Sequence, residues 1–350
     1  MIAPRRPVAV LGECVADAFV VPVGVTGVTG VTGVATGATG VTEAATGTTR
    51  ATGPTAADGP ALRLDVLPGG GPANTAVALA RLGTPTHFLG RLSTDAFGGL
   101  FRRRLVESGV RIDLCPEAAE PSTLAVAGLG PDGAAEYSFH AEATADWQWT
   151  RRELAPVTGL DAACLHTGSL ALVREPGAAA VEELLAELRP TTTLCLDPNV
   201  RPLLVAPEEY RARLPRWCAL ADLLRLSEDD LAHLHPGLRP EAACDAWHRA
   251  GVPLVVVTLG GAGALVSYDG VRARVPAPPV DVVDTVGAGD AFTAGLLHRL
   301  HAAGALGGRL DGLAPDTLHE AVAFAATVAA ATCAVRGANP PRAEELPAAA

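Results

Sequence analysis

The chain contains no lysine; all 27 of its Lys+Arg cations are arginine. That absence excludes chemistry built on a lysine amine: Schiff-base enzymes, pyridoxal-phosphate enzymes and P-loops with a phosphate-binding lysine. An excess of positive charge is lacking as well, since 27 basic against 38 acidic residues leave a net charge of −11. Proteins that neutralise nucleic-acid phosphates carry the opposite sign, so no nucleic-acid partner is expected. No C-x-x-C spacing occurs among the seven cysteines, Cys14, Cys115, Cys164, Cys195, Cys218, Cys244 and Cys333. Their scatter predicts reduced thiols in a cytoplasmic protein. Long apolar runs are also missing. The first, Val8 to Leu11, is broken by Gly12-Glu13, which is too short for a secretory signal. The uncharged run from Ala321 to Val335 is too short to span a bilayer and predicts a buried helix, so no membrane partner is expected.

What the chain does have is core-forming material. Its 350 residues are 49 % hydrophobic and 19 % charged, with a mean hydropathy of +0.26, enough for one large domain or two. Residues 24–60 stand apart, repeating V-T-G and A-T-G with glycine at 24, 27, 30, 33, 37 and 40. This segment has no large side chains to pack and reads as a flexible low-complexity insertion. Elsewhere short apolar runs alternate with amphipathic ones. Strands are predicted at Val8–Leu11, Thr86–Leu89, Ala163–His166, Thr193–Leu196, Leu223–Leu226 and Leu254–Thr258. Helices are predicted at Pro72–Leu82, Asp95–Ser108, Pro176–Leu188, Pro207–Ala221 and Glu241–Ala250. Two hairpins, Thr123–Leu129 with Glu136–His140 and Ala264–Tyr268 with Val271–Val275, and two closing helices near Ala288–Ala303 and Asp316–Ala331 complete the pattern. Continuous apolar strands between amphipathic helices indicate an α/β fold around a parallel sheet buried on both faces.

The strongest local signal is Asp284-Thr285-Val286-Gly287-Ala288-Gly289-Asp290-Ala291-Phe292, a glycine-rich turn opening into an apolar helix. Free N–H groups of a first helical turn bind anions without any lysine. A carboxylate at Asp290, beside such a site, suits removal of a proton from a hydroxyl as a phosphoryl group arrives. The helix dipole is expected to hold Asp290 ionised and therefore a weak base. The plainer reading is a tight turn with Asp290 as a helix cap. A second glycine loop, Pro68-Gly69-Gly70-Gly71-Pro72-Ala73-Asn74, lets backbone approach a ligand, and Asn74 both donates and accepts towards sugar hydroxyls. Read alone, it is equally a loop with Asn74 at a helix start.

Together and in this order, these segments resemble the ribokinase-like (pfkB) carbohydrate kinases. Gly90-Arg91-Leu92-Ser93-Thr94-Asp95-Ala96-Phe97-Gly98 is similar to that family's first signature, and Asp284 to Leu297 to its second. The resemblance implies a mostly parallel central sheet flanked by helices, with a small β lid. It implies a single kinase domain from 1–23 and 61–343, lid strands near 13–22, 62–67 and 122–140, and a tail at 344–350. The implied catalytic base is Asp290, with Gly287, Ala288 and Gly289 as the anion hole. Gly12, Asp17, Gly70 and Asn74 fall where relatives hold the sugar, and His140 stands where they often place an arginine. Arg201, Ser227, Thr258, Gly260, Gly263 and Asn339 fall along the implied nucleotide site. Magnesium is expected through water on Glu228 or Asp230, because Ser227-Glu228-Asp229-Asp230 departs from the family's N-x-x-E. Carbonyls of Asp284 and Val286 are the implied site of a monovalent cation such as potassium.

Asp197-Pro198-Asn199-Val200-Arg201 is similar to the D-P-N-x-R of fructokinases and 2-keto-3-deoxygluconate kinases. The expected activity is ATP-dependent phosphorylation of fructose or a related ketose or sugar acid. The alternatives are a ribose or nucleoside kinase of the same fold, or a catalytically silent sugar-binding regulator. Expected partners are a small sugar, ATP with Mg2+, and a second copy of the chain, since relatives pair through lid strands.

Overall fold

A computed structural model describes residues 6–21, 62–129 and 135–346; the repeat at 24–60 and the end of the tail lie outside the described residues. Eight strands form the central sheet. Across it run Val271–Val275, Ala264–Tyr268, Leu254–Thr258, Leu223–Ser227, Thr193–Asp197, Cys164–Gly168, Val8–Leu11 and Thr86–Leu89. The last six pair in parallel, while Ala264–Tyr268 and Val271–Val275 add on as an antiparallel hairpin turning at Asp269-Gly270.

Alternation within each strand builds two cores. Ala9 and Leu11 look to one face, with Leu165, Leu194, Leu224 and Val255, against helices Gly177–Leu188, Pro207–Leu220 and Pro240–Arg249. Val8 and Val10 look to the other, with Phe88, Cys195, Leu223 and Leu254, against helices Gly71–Arg81, Ala96–Glu107, Ala288–Ala302 and Pro315–Cys333. Strands covered on both faces have no polar side to show, which explains their unbroken apolar runs. Helix ends follow local chemistry. Asp95 caps Ala96–Glu107 by accepting from the Gly98 amide at 2.8 Å, and Gly109, at φ +88°, ends it in the left-handed region. Where the two closing helices cross, a Cβ on Gly295 would lie 2.8 Å from the Ala325 Cα, so only glycine permits that approach.

A four-stranded sheet stands over one end of this body in the order Arg63–Gly69, Val15–Val21, Thr123–Leu129, Ala135–His140. Val15–Val21 leaves the first central strand through Gly12-Glu13-Cys14, and Arg63–Gly69 runs straight into helix Gly71–Arg81. Buried Asp146 pins the root of this sheet, accepting from the Cys14 amide at 3.0 Å and the Thr123 hydroxyl at 2.6 Å. The first central strand feeds it from its carboxyl end, the side on which ligands sit in such sheets. All seven cysteines are free thiols, five of them buried. Among the described residues no helix is long and apolar enough to cross a membrane.

Candidate active site

Three segments meet under the small sheet. Helix Ala288–Ala302 begins at Gly287, whose φ of +78° belongs to the left-handed region. A Cβ there would lie 2.7 Å from the Ala338 Cβ, so the turn tolerates only glycine. The Ala288 amide donates to the Thr285 carbonyl at 3.2 Å and the Ala291 amide to the Gly287 carbonyl at 2.9 Å. Among the described residues the amides of Gly287, Gly289 and Asp290 make no backbone hydrogen bond. Of the three anion-hole residues expected from sequence, Ala288 is thus the one whose N–H is already engaged.

Asp290 points out of the first helical turn. Its Oδ2 accepts from the Asn74 amide at 2.9 Å, and the Thr75 hydroxyl donates to its carbonyl at 3.4 Å. Its Oδ1 faces Gly71, where a Cβ would stand 3.1 Å from it and 2.9 Å from Asn199 Nδ2. Asp290, Asn74 and the Asp197–Arg201 loop therefore share one small space. Burial raises the Asp290 pKa above the ordinary carboxylate value, while Asn74, Arg225, Arg201 and Arg104 pull the other way. The sequence argument from the helix dipole had the opposite sign; crowding around the carboxylate outweighs the dipole and makes Asp290 a stronger base.

On the sheet side, Asp17 lies against Gly69, where a Cβ would approach its Oδ2 to 2.0 Å. Burial lifts the Asp17 pKa to about 6 against the pull of Arg104 and Arg201. Gly12 and Gly70 make the crossing of the first loop and the glycine loop: a Cβ on Gly70 would meet the Glu13 carbonyl at 2.4 Å. Beside them Glu13 is buried, and burial brings its pKa to about 7. His140 stands exposed at the end of its strand, opposite Leu124, and takes no part in the hydrogen bonds tying the Asp290 cluster together.

On the opposite side a buried rung links mid-strand Arg225 to the ends of the two strands beside it. Arg225 Nη1 donates to Asp197 Oδ2 at 2.6 Å and Nη2 to the Thr258 hydroxyl at 3.0 Å. Burial opposes the Arg225 charge, but the Asp197 carboxylate overrides it and raises the pKa. The guanidinium lies beneath the Gly287–Gly289 turn, 2.8 Å from where a Gly289 Cβ would be. Gly260 and Gly263 shape the exposed turn after Thr258, both at positive φ. Arg201 is exposed and folds back on the Val200 carbonyl at 3.2 Å. The Asn339 Oδ1 accepts from Arg81 at 2.7 Å.

Sequence reasoning missed Arg225, because Leu223–Ser227 reads as an apolar strand with one odd residue. A cation inside a strand buried on both faces was the available signal. It also missed helix Glu228–Leu234. Ser227 and Asp230 form its capping box, with Asp230 Oδ2 accepting from the Ser227 amide at 3.0 Å and Asp230 Oδ1 from the Val200 amide at 2.7 Å. Both Asp230 oxygens are thus committed to protein donors, whereas Glu228 is exposed. Among the described residues no group of three His, Cys, Asp or Glu side chains converges to cage a metal. The carbonyls of Asp284 and Val286 accept no backbone hydrogen bond among the described residues, and the Asp284 carboxylate braces the late loop through the Gly337 amide at 2.8 Å.

The sequence profile of the pfkB family carbohydrate kinases matches residues 57–345. The chain belongs to that family. Its relatives include a Klebsiella pneumoniae fructokinase, 35 % identical over 280 residues that cover 79 % of this chain and 89 % of the relative. A Rhizobium leguminosarum bv. trifolii fructokinase is 36 % identical over 233 residues, 66 % of this chain and 71 % of that one. Among solved structures, the Vibrio cholerae O395 fructokinase with fructose, ADP and calcium ion bound superposes with a TM-score of 0.71 at 25 % identity, covering 95 % and 94 % of the two chains. A Xylella fastidiosa fructokinase with bound ATP shares the fold at a TM-score of 0.76 and 23 % identity, covering 95 % of this chain and 94 % of that one. As a pfkB-family carbohydrate kinase the protein is a sugar phosphotransferase, built on the α/β, mostly parallel ribokinase-like fold.

Proposed function

We propose that the protein transfers the γ-phosphoryl group of ATP to a hydroxyl of fructose or a closely related ketose. The observation that carries this reading is the placement of the Asp290 carboxylate in the same first helical turn as the open amides of Gly287 and Gly289, with Asn74 holding its Oδ2. The named relatives are fructokinases, and the Vibrio cholerae relative binds fructose and ADP. The run Asp197 to Arg201 supports the same sugar class.

In this reading the four-stranded sheet is the lid of a single kinase domain, from which 24–60 is an insertion, and Asp17, Gly70 and Asn74 hold the sugar beneath it. The sugar oxygen attacks phosphorus, its proton passes to Asp290 Oδ1, and the bond from phosphorus to the ADP oxygen breaks. Negative charge spreading over the phosphoryl oxygens meets the helix N-terminal amides, with Arg225 beneath and Arg201 at the rim. Thr258, Gly260, Gly263, Ser227 and Asn339 line the nucleotide side. Covering the site excludes water, so a sugar hydroxyl and not water receives the group.

Magnesium that arrives on nucleotide phosphates keeps several waters and needs only one or two carboxylates, so the absence of a three-residue cage among the described residues does not count against it. Glu228 fits as the holder through water, and Asp230, with both oxygens taken, does not fit as a direct ligand. Bound there, the ion would neutralise phosphate charge. The open carbonyls of Asp284 and Val286 fit a monovalent cation such as potassium beside the turn.

A coupled ADP-release assay across fructose, 2-keto-3-deoxygluconate, ribose, tagatose phosphate and adenosine, with and without potassium, tests the assignment. Fructose is expected to give the highest kcat/KM. Fastest turnover on ribose or adenosine would overturn the sugar class, and calorimetric binding without ADP release would overturn the activity.

A further inference from the structure

We propose that Arg104 is a positioning residue that couples the sugar loop to the anion-binding turn. Arg104 lies in the last turn of helix Ala96–Glu107. Its guanidinium forks: one nitrogen donates to the Pro68 carbonyl and the other to the Ala338 carbonyl. Each acceptor abuts one half of the site. Pro68 precedes Gly69, the residue packed on Asp17, and Ala338 is the residue that closes on Gly287. The two loops also touch directly, with Leu67 Cδ1 3.9 Å from the position of a Gly337 Cβ.

The late loop is thus gripped from the sugar side. Arg81, at the end of helix Gly71–Arg81, donates to Asn339 Oδ1 and to the Pro340 carbonyl, both at 2.7 Å. Among the described residues Arg104 is the one side chain that bonds both loops at once. Its planar fork holds two donors at a fixed spread, an ammonium must reach both carbonyls from a single nitrogen, and a methionine side chain donates to neither. Ordering of Pro68 and Gly69 around a sugar therefore orders Ala338 against Gly287, and by reciprocity an occupied anion site favours the sugar-bound loop. The titratable groups facing Arg104 are Asp17 from the small sheet, Asp290 from helix Ala288–Ala302, Arg81, and the Cys14 thiol of the first loop, which burial keeps protonated. Its cation also steadies the ionised forms of Asp17 and Asp290, alongside Arg201 at both and Arg225 and Asn74 at Asp290.

The coupling rests on the fructokinase reading, and calorimetry on the full chain separates the two. Fructose and ADP are titrated singly and together into wild type, Arg104→Met and Arg104→Lys. In wild type each ligand tightens the other at least about fivefold, the lower range of measured coupling. In both variants that factor falls to within about twofold of unity, and the acid limb of kcat moves to higher pH in Arg104→Met but not in Arg104→Lys. Retained coupling in Arg104→Met overturns the proposal. So does wild type that binds both ligands without mutual tightening. Wild type that binds neither defeats the fructokinase reading itself, and the coupling falls with it. Should the variants not fold, hydrogen exchange on wild type decides: fructose alone is expected to slow the amides of residues 337–339, and unchanged exchange there refutes the coupling.

Discussion

Replacing Asp290 by Asn removes a base and leaves almost everything else in place. Asparagine has the same shape, its side-chain oxygen still accepts from Asn74, and the backbone amides of the turn are untouched. A positioned general base is worth roughly 10²–10⁴ in rate, or about 2.7–5.4 kcal/mol of barrier. The expected outcome is a fall in kcat of at least about a hundredfold with the fructose KM within a few-fold of wild type. Stability should move the other way. Burial raises the native Asp290 pKa, so ionisation at neutral pH disfavours the folded state, and the neutral amide removes that cost. The melting temperature at pH 7 should therefore equal or exceed that of wild type. ADP release and thermal unfolding on the same preparation provide both numbers. Turnover within about fivefold of wild type, in a folded variant, would take Asp290 out of the chemistry.

The pH profile offers a second test. Asp17 sits at about 6 and Asp290 is raised above its ordinary value. Both act as carboxylates, so kcat/KM should be full above neutrality and fall as pH drops through about 6; an acid limb at an ordinary carboxylate pKa refutes this. Arg225→Met leaves Asp197 buried without its partner, so urea unfolding should show a loss of about 3–5 kcal/mol; a loss under about 1 kcal/mol would mean the pair carries little. Gly287→Ala meets both the left-handed φ of +78° and the Ala338 contact, and should lower stability by about 1–3 kcal/mol together with kcat; unchanged turnover would show the turn is not needed in that form.

Most of the architecture was legible because its determinants are local. Strands buried on both faces, such as Leu254–Thr258, write their burial as unbroken apolar runs, and Asp269-Gly270 marks its hairpin unaided. Asp95 and Gly109 bound their helix to the residue. Asp290 and Asn74 were legible as candidates because glycines precede each of them, whereas Asp17 has none beside it and came from the family resemblance alone. What escaped was set by long-range contact. Arg225 finds Asp197 and Thr258 on neighbouring strands, and Arg104 finds Pro68 and Ala338 from two distant loops; neither partner is visible from the run that holds the arginine. The dipole argument for Asp290 failed for the same reason, since it took in the residue's own helix and not the neighbours that crowd it. Ser227 to Asp230 had a legible capping pattern that a metal reading displaced.

The rung from Asp197 through Arg225 to Thr258 fastens three adjacent strands into one floor. If both substrates bind over it as proposed, a change anywhere in it reaches donor and acceptor together, so selectivity for one of them has no independent handle there. Because Arg104 ties the Asp17 side to the late loop, a change of sugar made at Asp17 is expected to register at the Gly287 turn as well.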